Sequence, residues 1–278
     1  MAYGFEIAEG TARTFQAMTD GTSTYYLGQL VAYTAAAKAQ TPGTVVPLAV
    51  AAGAYDLTNY QVIAGIVVGI DDKTQTYDTY GQYVTGVVTQ AAQLARDFYH
   101  GGPTGMYAPR DPQVILTIAE ITPNTVIRGP ICETGGTAPT VVTDSGGADT
   151  TGYTTAGTQS ASSFTPVANT CSVICRTGKN MGLYRTTNDT STTQMDVTVA
   201  FPYDVVSGDT FVRFSLKQGF SMLQFGATPT GMYIDNTLSG GTTNYFGCYV
   251  YRISGMEAGK EFAEFRFGLD HFTIGRNA

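Results

Sequence analysis

The sequence predicts a mainly β protein that consists of two β-barrel or β-sandwich domains with antiparallel strands and at most one or two short helices. Three observations predict this fold. Apolar and polar residues alternate with a period of two along several short segments, and Gly- and Pro-containing turn signals separate those segments. The chain has 278 residues, which is long enough for two domains, and 43% of them are hydrophobic, which is enough to fill two cores.

The first predicted domain covers residues 1–133. Its expected strands are segments rich in β-branched and aromatic residues and bounded by turn residues. They cover residues 25–34, 45–51, 61–70, 83–89, 114–121 and 125–131. Residues 61–70 are almost continuously apolar, which is typical of a strand buried on both faces. Apolar residues recur at helical spacing over residues 88–98, which predicts one helix there.

A shift in composition marks the second half of the chain. Residues 134–169 are dominated by Gly, Thr, Ser and Ala, which predicts a linker or an extended loop that becomes ordered against a neighbouring subunit. Residues 170–278 form the second predicted domain, a β-sandwich-like unit. Half-buried strands are expected at residues 195–201, 210–216 and 263–269, where the alternation is clearest, and an aromatic strand is expected at residues 245–253.

Composition and motifs argue against several functions. A net charge of -7 and a pI near 4.7 argue against nucleic-acid binding, which needs clustered Lys and Arg. No apolar run reaches the length of a membrane-spanning helix, and no secretory signal is visible. The sequence contains no phosphate-binding loop, nucleophile elbow or zinc-protease motif, and only two His. We therefore expect no enzymatic activity, no cofactor and no bound metal.

Two metal sites are nevertheless open alternatives. Cys171 and Cys175 form a C-x3-C pair that, with Cys132 and Cys248, supplies four thiols, although a buried strand face explains the pair equally simply. Loop carboxylates such as Asp144 and Asp149 have the oxygen ligands that calcium prefers, but aspartates in Gly-rich loops commonly cap turns.

The candidate functional residues form an expected protein interface. Tyr combines a large apolar area with a hydroxyl group and is enriched at interfaces, whereas only 13% of this chain is charged. The alternative explanation for the tyrosines is ordinary strand propensity. The predicted interface residues are Tyr25, Tyr26, Tyr77, Tyr80, Tyr107, Asp144, Asp149 and Tyr153.

Three segments resemble head decoration (cement) proteins of tailed phages. These are residues 26–31 (YLGQLV), 43–46 (GTVV) and 62–70 (VIAGIVVGI), and the resemblance extends mainly over residues 25–131. The Thr- and Gly-rich, His-poor composition is also similar to that of phage virion proteins. The resemblance implies a structural protein that is made in the host cytoplasm and that stabilises the capsid surface by binding the major capsid protein.

The resemblance also implies contacts with copies of the same chain, for which we expect a trimer, and no nucleic-acid or membrane partner. Two alternatives remain open. One is another virion component, such as a tail, neck or head-fibre protein. The other is a carbohydrate-binding or carbohydrate-cleaving β protein used in receptor recognition, which would need aromatic platforms beside a carboxylate pair.

Overall fold

The computed structural model shows a nearly all-β protein, which confirms the predicted mainly β fold class. It describes residues 4–10, 13–19, 25–33, 44–48, 62–71, 87–88, 115–144, 155–158, 171–189, 194–199, 201–228, 231–236 and 246–272. Within these residues the helical content is a single 3-10 turn, Leu269–His271. Most strand pairs are antiparallel, as expected from the alternating sequence.

The chain divides into two compact units. The N-terminal unit comprises Ala2–Ile127 with Pro229–Met232 and Gly268–Ala278, and the C-terminal unit comprises Met1, Arg128–Thr228 and Tyr233–Phe267.

The N-terminal unit contains a sheet with the strand order β5-β4-β6-β8-β2. The strands of this unit are β1 (Glu6–Glu9), β2 (Thr14–Thr19), β3 (Tyr25–Tyr26), β4 (Leu30–Tyr33), β5 (Thr44–Pro47), β6 (Val62–Asp71), β7 (Val87–Val88) and β8 (Ile115–Glu120). Strand β2 also pairs in parallel with β5 over two residues. Val31, Val67, Leu116 and Ile118 are fully buried and form the centre of its core. Burial of these β-branched and aliphatic side chains supplies the main favourable term for folding.

One prediction for this half of the chain needs correction, and a second lies almost wholly outside the described residues. The strand expected over residues 25–34 is interrupted by a turn at Leu27–Gly28. Gly28 has φ +77°, and a Cβ there would lie 2.7 Å from the Cα of Gly4, so only glycine fits this turn. The helix expected over residues 88–98 begins inside β7, where Val88 pairs with Tyr25. Residues 89–98 lie outside the described residues.

Twelve strands continue the chain. They are β9 (Val126–Cys132), β10 (Val141–Thr143), β11 (Thr155–Thr158), β12 (Ser172–Cys175), β13 (Tyr184–Asp189), β14 (Gln194–Val197), β15 (Thr210–Phe214), β16 (Gly219–Leu223), β17 (Phe225–Thr228), β18 (Gly231–Asp235), β19 (Phe246–Ser254) and β20 (Phe262–Phe267). We call the sheet with the order β16-β19-β20-β9-β18-β17 sheet 1, and the sheet with the order β10-β15-β12-β13-β14-β11 sheet 2.

Sheet 1 packs phenylalanine rings on its inner face. Phe225 lies 5.3 Å from Phe246 and 5.9 Å from Phe267 between ring centroids, and Phe265 lies 5.4 Å from Phe267. These tilted and edge-to-face contacts add to the large apolar area that the rings bury. Along β20 the buried Ala263, Phe265 and Phe267 alternate with partly exposed residues, so the alternation predicted for residues 263–267 is confirmed. Leu269 is exposed and lies beyond the strand.

Strand β15 differs from the half-buried strand that its alternation predicts. Phe211, Val212, Arg213 and Phe214 are all buried. Both faces are covered because Phe211 packs on Phe201, 5.9 Å away, while a Cβ at Gly255 would lie 2.6 Å from the ring of Phe214. Because both faces of β15 are buried, the alternation in its sequence does not identify a single core-facing side.

The segment predicted as a linker or extended loop contributes two strands to sheet 2. Strand β10 pairs with β15 and strand β11 pairs with β14, both antiparallel. Thr has high β propensity, so a Thr-rich segment is compatible with strands despite its Gly content. Residues 145–154 and 159–170 lie outside the described residues.

Candidate functional site

A row of large exposed side chains crosses the outer face of sheet 1. Phe220 in β16 is 65% exposed and pairs with Tyr249 in β19, which is 45% exposed. Tyr249 in turn pairs with Arg266 in β20. Directly paired residues project on the same side of a sheet, so the three side chains are consecutive neighbours across three strands. Met222, two residues beyond Phe220, is exposed on the same side of β16.

A β-bulge in β19 enlarges this row. The pairing passes from Val250 with Phe265 to Arg252 with Glu264, so Tyr251 is an extra residue without a partner in β20. As a result, Tyr249, Tyr251 and Arg252 are all exposed, although regular alternation would bury one of two consecutive residues. The rings of Tyr249 and Tyr251 lie 5.1 Å apart with an interplanar angle of 62°.

The guanidinium group of Arg266 lies over the rings of both tyrosines. Its guanidinium carbon lies 5.6 Å from the ring centroid of Tyr249 and 5.7 Å from that of Tyr251. Contacts of this kind attract the cation to the ring electrons and hold the guanidinium plane in place. Within the part of the chain that the structure describes, Arg266 has no carboxylate partner.

A second cluster of charged residues borders the row. Arg128 in β9 donates to Oε1 of Glu264 through Nη2 at 2.6 Å and through Nε at 3.1 Å. The guanidinium groups of Arg128 and Arg252 lie 4.8 Å and 5.6 Å from the ring centroid of Phe262. Since Arg128 occupies Glu264, Arg252 is left without an ion pair among the described residues.

We call this surface the aromatic–arginine face. It consists of Phe220, Met222, Tyr249, Tyr251, Arg252 and Arg266. Tyr, Phe, Met and Arg are the residue types enriched at the centres of protein interfaces. The face therefore offers apolar area for burial together with guanidinium N–H donors for carboxylates.

The structure places two of the predicted interface residues in the core instead. Tyr25 is fully buried and donates from its hydroxyl group to the Val45 carbonyl oxygen at 2.8 Å. Tyr26 is also buried, and this burial raises the pKa of its phenol to about 12. Their strand is too short and too well covered to present either ring to a partner. This corrects the interface prediction for Tyr25 and Tyr26.

Asp144 needs the same correction. It is buried, and its main chain accepts a hydrogen bond from the Gly208 amide at 2.9 Å and donates one to the Asp209 carbonyl oxygen at 2.8 Å. These bonds connect the end of β10 to the turn before β15, so Asp144 has a structural position. The other predicted interface residues lie outside the described residues; they are Tyr77, Tyr80, Tyr107, Asp149 and Tyr153.

No disulfide bond joins the four cysteines, all of which lie among the described residues. Cys132, Cys175 and Cys248 are buried, and Cys171 is partly buried. Burial raises the pKa of the Cys132 and Cys175 thiols to about 11, which keeps them protonated at neutral pH. The described residues hold no group of three or more potential metal ligands.

The sequence contains part of the signal for the aromatic–arginine face. Phe220 and Met222 alternate with Ser221 and Leu223, and the aromatic content around Tyr249 predicts a strand there. What the sequence does not show is the register that places Phe220, Tyr249 and Arg266 side by side, or the bulge at Tyr251.

The described residues include no helix with the length and apolarity needed to cross a bilayer. Comparison of the chain with protein-family models, with curated proteins and with solved structures found no match.

Proposed function

We propose that this chain is a non-enzymatic structural protein of a phage virion that binds a neighbouring protein subunit through its aromatic–arginine face. In this proposal the neighbour is the major capsid protein, and the chain decorates and stabilises the capsid surface. The observation that carries the proposal is the row formed by the exposed Phe220 and Tyr249 and the partly exposed Arg266 across three paired strands.

Removal of apolar side-chain surface from water favours binding to a partner. Exposed aromatic side chains that lie next to one another leave a continuous apolar area in water, which is favourable to bury against a partner. Phe220 and Tyr249 are anchored on paired strands, so little backbone conformational entropy is lost when a partner covers them. A repeated shell would multiply a contact of modest area, because each copy adds the same interface.

The resemblance of residues 25–131 to cement proteins supplies the proposed partner and location. The low charged fraction of 13% supports a surface that packs against other protein. Contacts between copies of the chain, in a trimer, belong to the same proposal. Nucleic acid and membranes are not partners in it.

Co-sedimentation with preformed capsids of the phage whose genome encodes the chain tests this proposal. We expect the unmodified chain to pellet with capsids and to remain in the supernatant without them. The variant Phe220→Ser/Tyr249→Ser should lose most of this binding. The matched control is Val199→Ser/Tyr203→Ser, which removes equally exposed apolar side chains elsewhere in the C-terminal unit. Absence of the unmodified chain from the capsid pellet would overturn the proposed partner.

A carbohydrate-binding role is the second candidate, and the adjacent exposed rings of Tyr249 and Tyr251 favour it. Sugar rings stack on the faces of aromatic side chains. Here the guanidinium of Arg266 already lies over both rings, which reduces the free stacking area. Retention of the chain on immobilised oligosaccharides, abolished by Tyr249→Ser, would support this role over capsid binding. Another virion position, such as tail, neck or head fibre, would give co-sedimentation with those parts instead of heads.

A further inference from the structure

Two arginines on the aromatic–arginine face have hydrogen-bond donors that the described structure leaves unused. Arg266 rests on Tyr249 and Tyr251, and Arg252 rests on Phe262. Neither forms an ion pair or a side-chain hydrogen bond with any described residue. A guanidinium that lies over an aromatic ring keeps its five N–H donors, which fit a carboxylate in a bidentate manner.

The local charge is opposite to that of the whole chain. The chain carries a net charge of -7, but this part of sheet 1 brings together Arg128, Arg252 and Arg266 against Glu264. Arg128 is engaged with Glu264 at 2.6 Å. Arg252 and Arg266 form no ion pair among the described residues, so a ligand that brings its own carboxylates would complement them.

The apolar side chains of the aromatic–arginine face indicate that the ligand also carries apolar groups. Phe220 lies next to Tyr249 across β16 and β19, and Met222 is exposed beside it. A ligand that covers this area needs apolar side chains within a few ångströms of its carboxylates. Acidic polypeptides combine the two kinds of group, whereas acidic polysaccharides present carboxylates without aliphatic side chains.

We propose that the aromatic–arginine face binds an acidic polypeptide segment, with carboxylates on Arg252 and Arg266 and apolar side chains against Phe220 and Met222. This inference rests on the proposed function in one respect, namely that the partner is a protein. It adds the chemistry of the partner segment and the two arginines that select it.

The test uses the full chain and a short fluorescent peptide in which Glu alternates with Leu. Fluorescence anisotropy measures its affinity, and the matched peptide carries Gln in place of Glu. We expect the Glu peptide to bind at least about tenfold more tightly than the Gln peptide, because only the Glu peptide brings carboxylates for charge-assisted hydrogen bonds with both guanidinium groups. Added salt should reduce this difference.

Substitution then assigns the binding to the two arginines. The variant Arg252→Gln/Arg266→Gln should bind the Glu peptide about as weakly as the unmodified chain binds the Gln peptide. The control is Arg185→Gln, an arginine of sheet 2 that also stacks on one ring, with its guanidinium carbon 5.2 Å from the centroid of Phe201. It should bind like the unmodified chain. Equal affinity for the Glu and Gln peptides overturns the proposal without any variant, so the test does not depend on the double variant folding.

One further outcome tests the polypeptide class of the ligand, and two others separate the inference from the proposed function. Tighter binding of polygalacturonate than of the Glu peptide would overturn the polypeptide proposal in favour of an acidic glycan. Selective binding of the Glu peptide by a chain that fails to pellet with capsids supports the inference and overturns only the proposed partner. Co-sedimentation that persists in Arg252→Gln/Arg266→Gln supports capsid binding and overturns the role of the two arginines.

Discussion

The ion pair between Arg176 and Glu261 provides the most direct test of the C-terminal unit. Arg176 follows β12, and Glu261 precedes β20, so the pair connects the two sheets of this unit. The Glu261 side chain is 1% exposed and the Arg176 side chain 10% exposed. Arg176 Nη2 donates to Glu261 Oε1, and Arg176 Nε donates to the Gly255 carbonyl oxygen at 2.6 Å.

The perturbation is the pair of single variants Arg176→Met and Glu261→Met, together with the double variant. Each single variant leaves one partner of a desolvated pair without its counter-charge, which costs about 3–5 kcal/mol of unfolding free energy. If the two losses were independent, the double variant would lose about 6–10 kcal/mol. The double variant instead leaves only the Gly255 carbonyl without its donor, at a cost of about 1–3 kcal/mol.

Urea titration of the intact chain followed by far-ultraviolet circular dichroism gives these free energies, since Trp is absent and cannot serve as a probe. Lys260→Met is the control, because the pair of Lys260 with Glu257 is exposed in the same connection between β19 and β20. It should leave the urea midpoint unchanged. Additive losses in the double variant would refute the reasoning that Arg176 and Glu261 form a coupled buried pair.

Three substitutions and one labelling experiment test the rest of the fold. Tyr25→Phe removes a buried hydrogen bond and should cost about 1 kcal/mol, measured by urea unfolding. Tyr26→Phe should cost nothing at neutral pH, because no described residue bonds to its hydroxyl group. The raised pKa of about 12 means that Tyr26 favours the folded state only in its neutral form, so stability falls as pH rises above 10, and Tyr26→Phe should reduce that fall. Gly65→Ala should prevent assembly of the N-terminal sheet, because its Cβ would overlap the Ala119 carbonyl oxygen; a melting temperature equal to that of the unmodified chain would contradict this. Cys171 should react with a thiol reagent before Cys175, as peptide mapping after brief labelling at neutral pH would show, and the reverse order would contradict the assigned burial.

The sequence predicted the fold class because strands with one exposed face keep their alternation. In β20, Ala263, Phe265 and Phe267 face the core and the residues between them do not, so the pattern is readable. The same reasoning fails for β15, since Phe211 and Phe214 are buried on opposite faces. Apolar and polar residues alternate along a strand when one of its faces contacts water and the other faces the core. A strand that is covered on both faces does not need this alternation.

The candidate site was predicted less well than the fold. The aromatic content predicts an interface, but two of the tyrosines assigned to it, Tyr25 and Tyr26, are core residues. Tyr249 and Arg266 face the same side because of strand register, which joins residues from separate strands. Side-chain pairing between strands depends on that register, and no local pattern in either strand specifies it.

The pairing of Arg128 with Glu264 joins residues 136 positions apart, which has a consequence for protein synthesis. At about 5–20 residues per second, a ribosome that has made Arg128 needs about 7–27 s more before Glu264 exists. The N-terminal sheet needs nothing beyond β8, so all five of its strands are available before that interval. During this interval β20 has not been synthesised, so the edge of β9 that later pairs with β20 is uncovered. An uncovered strand edge can associate with other nascent chains until translation reaches β20.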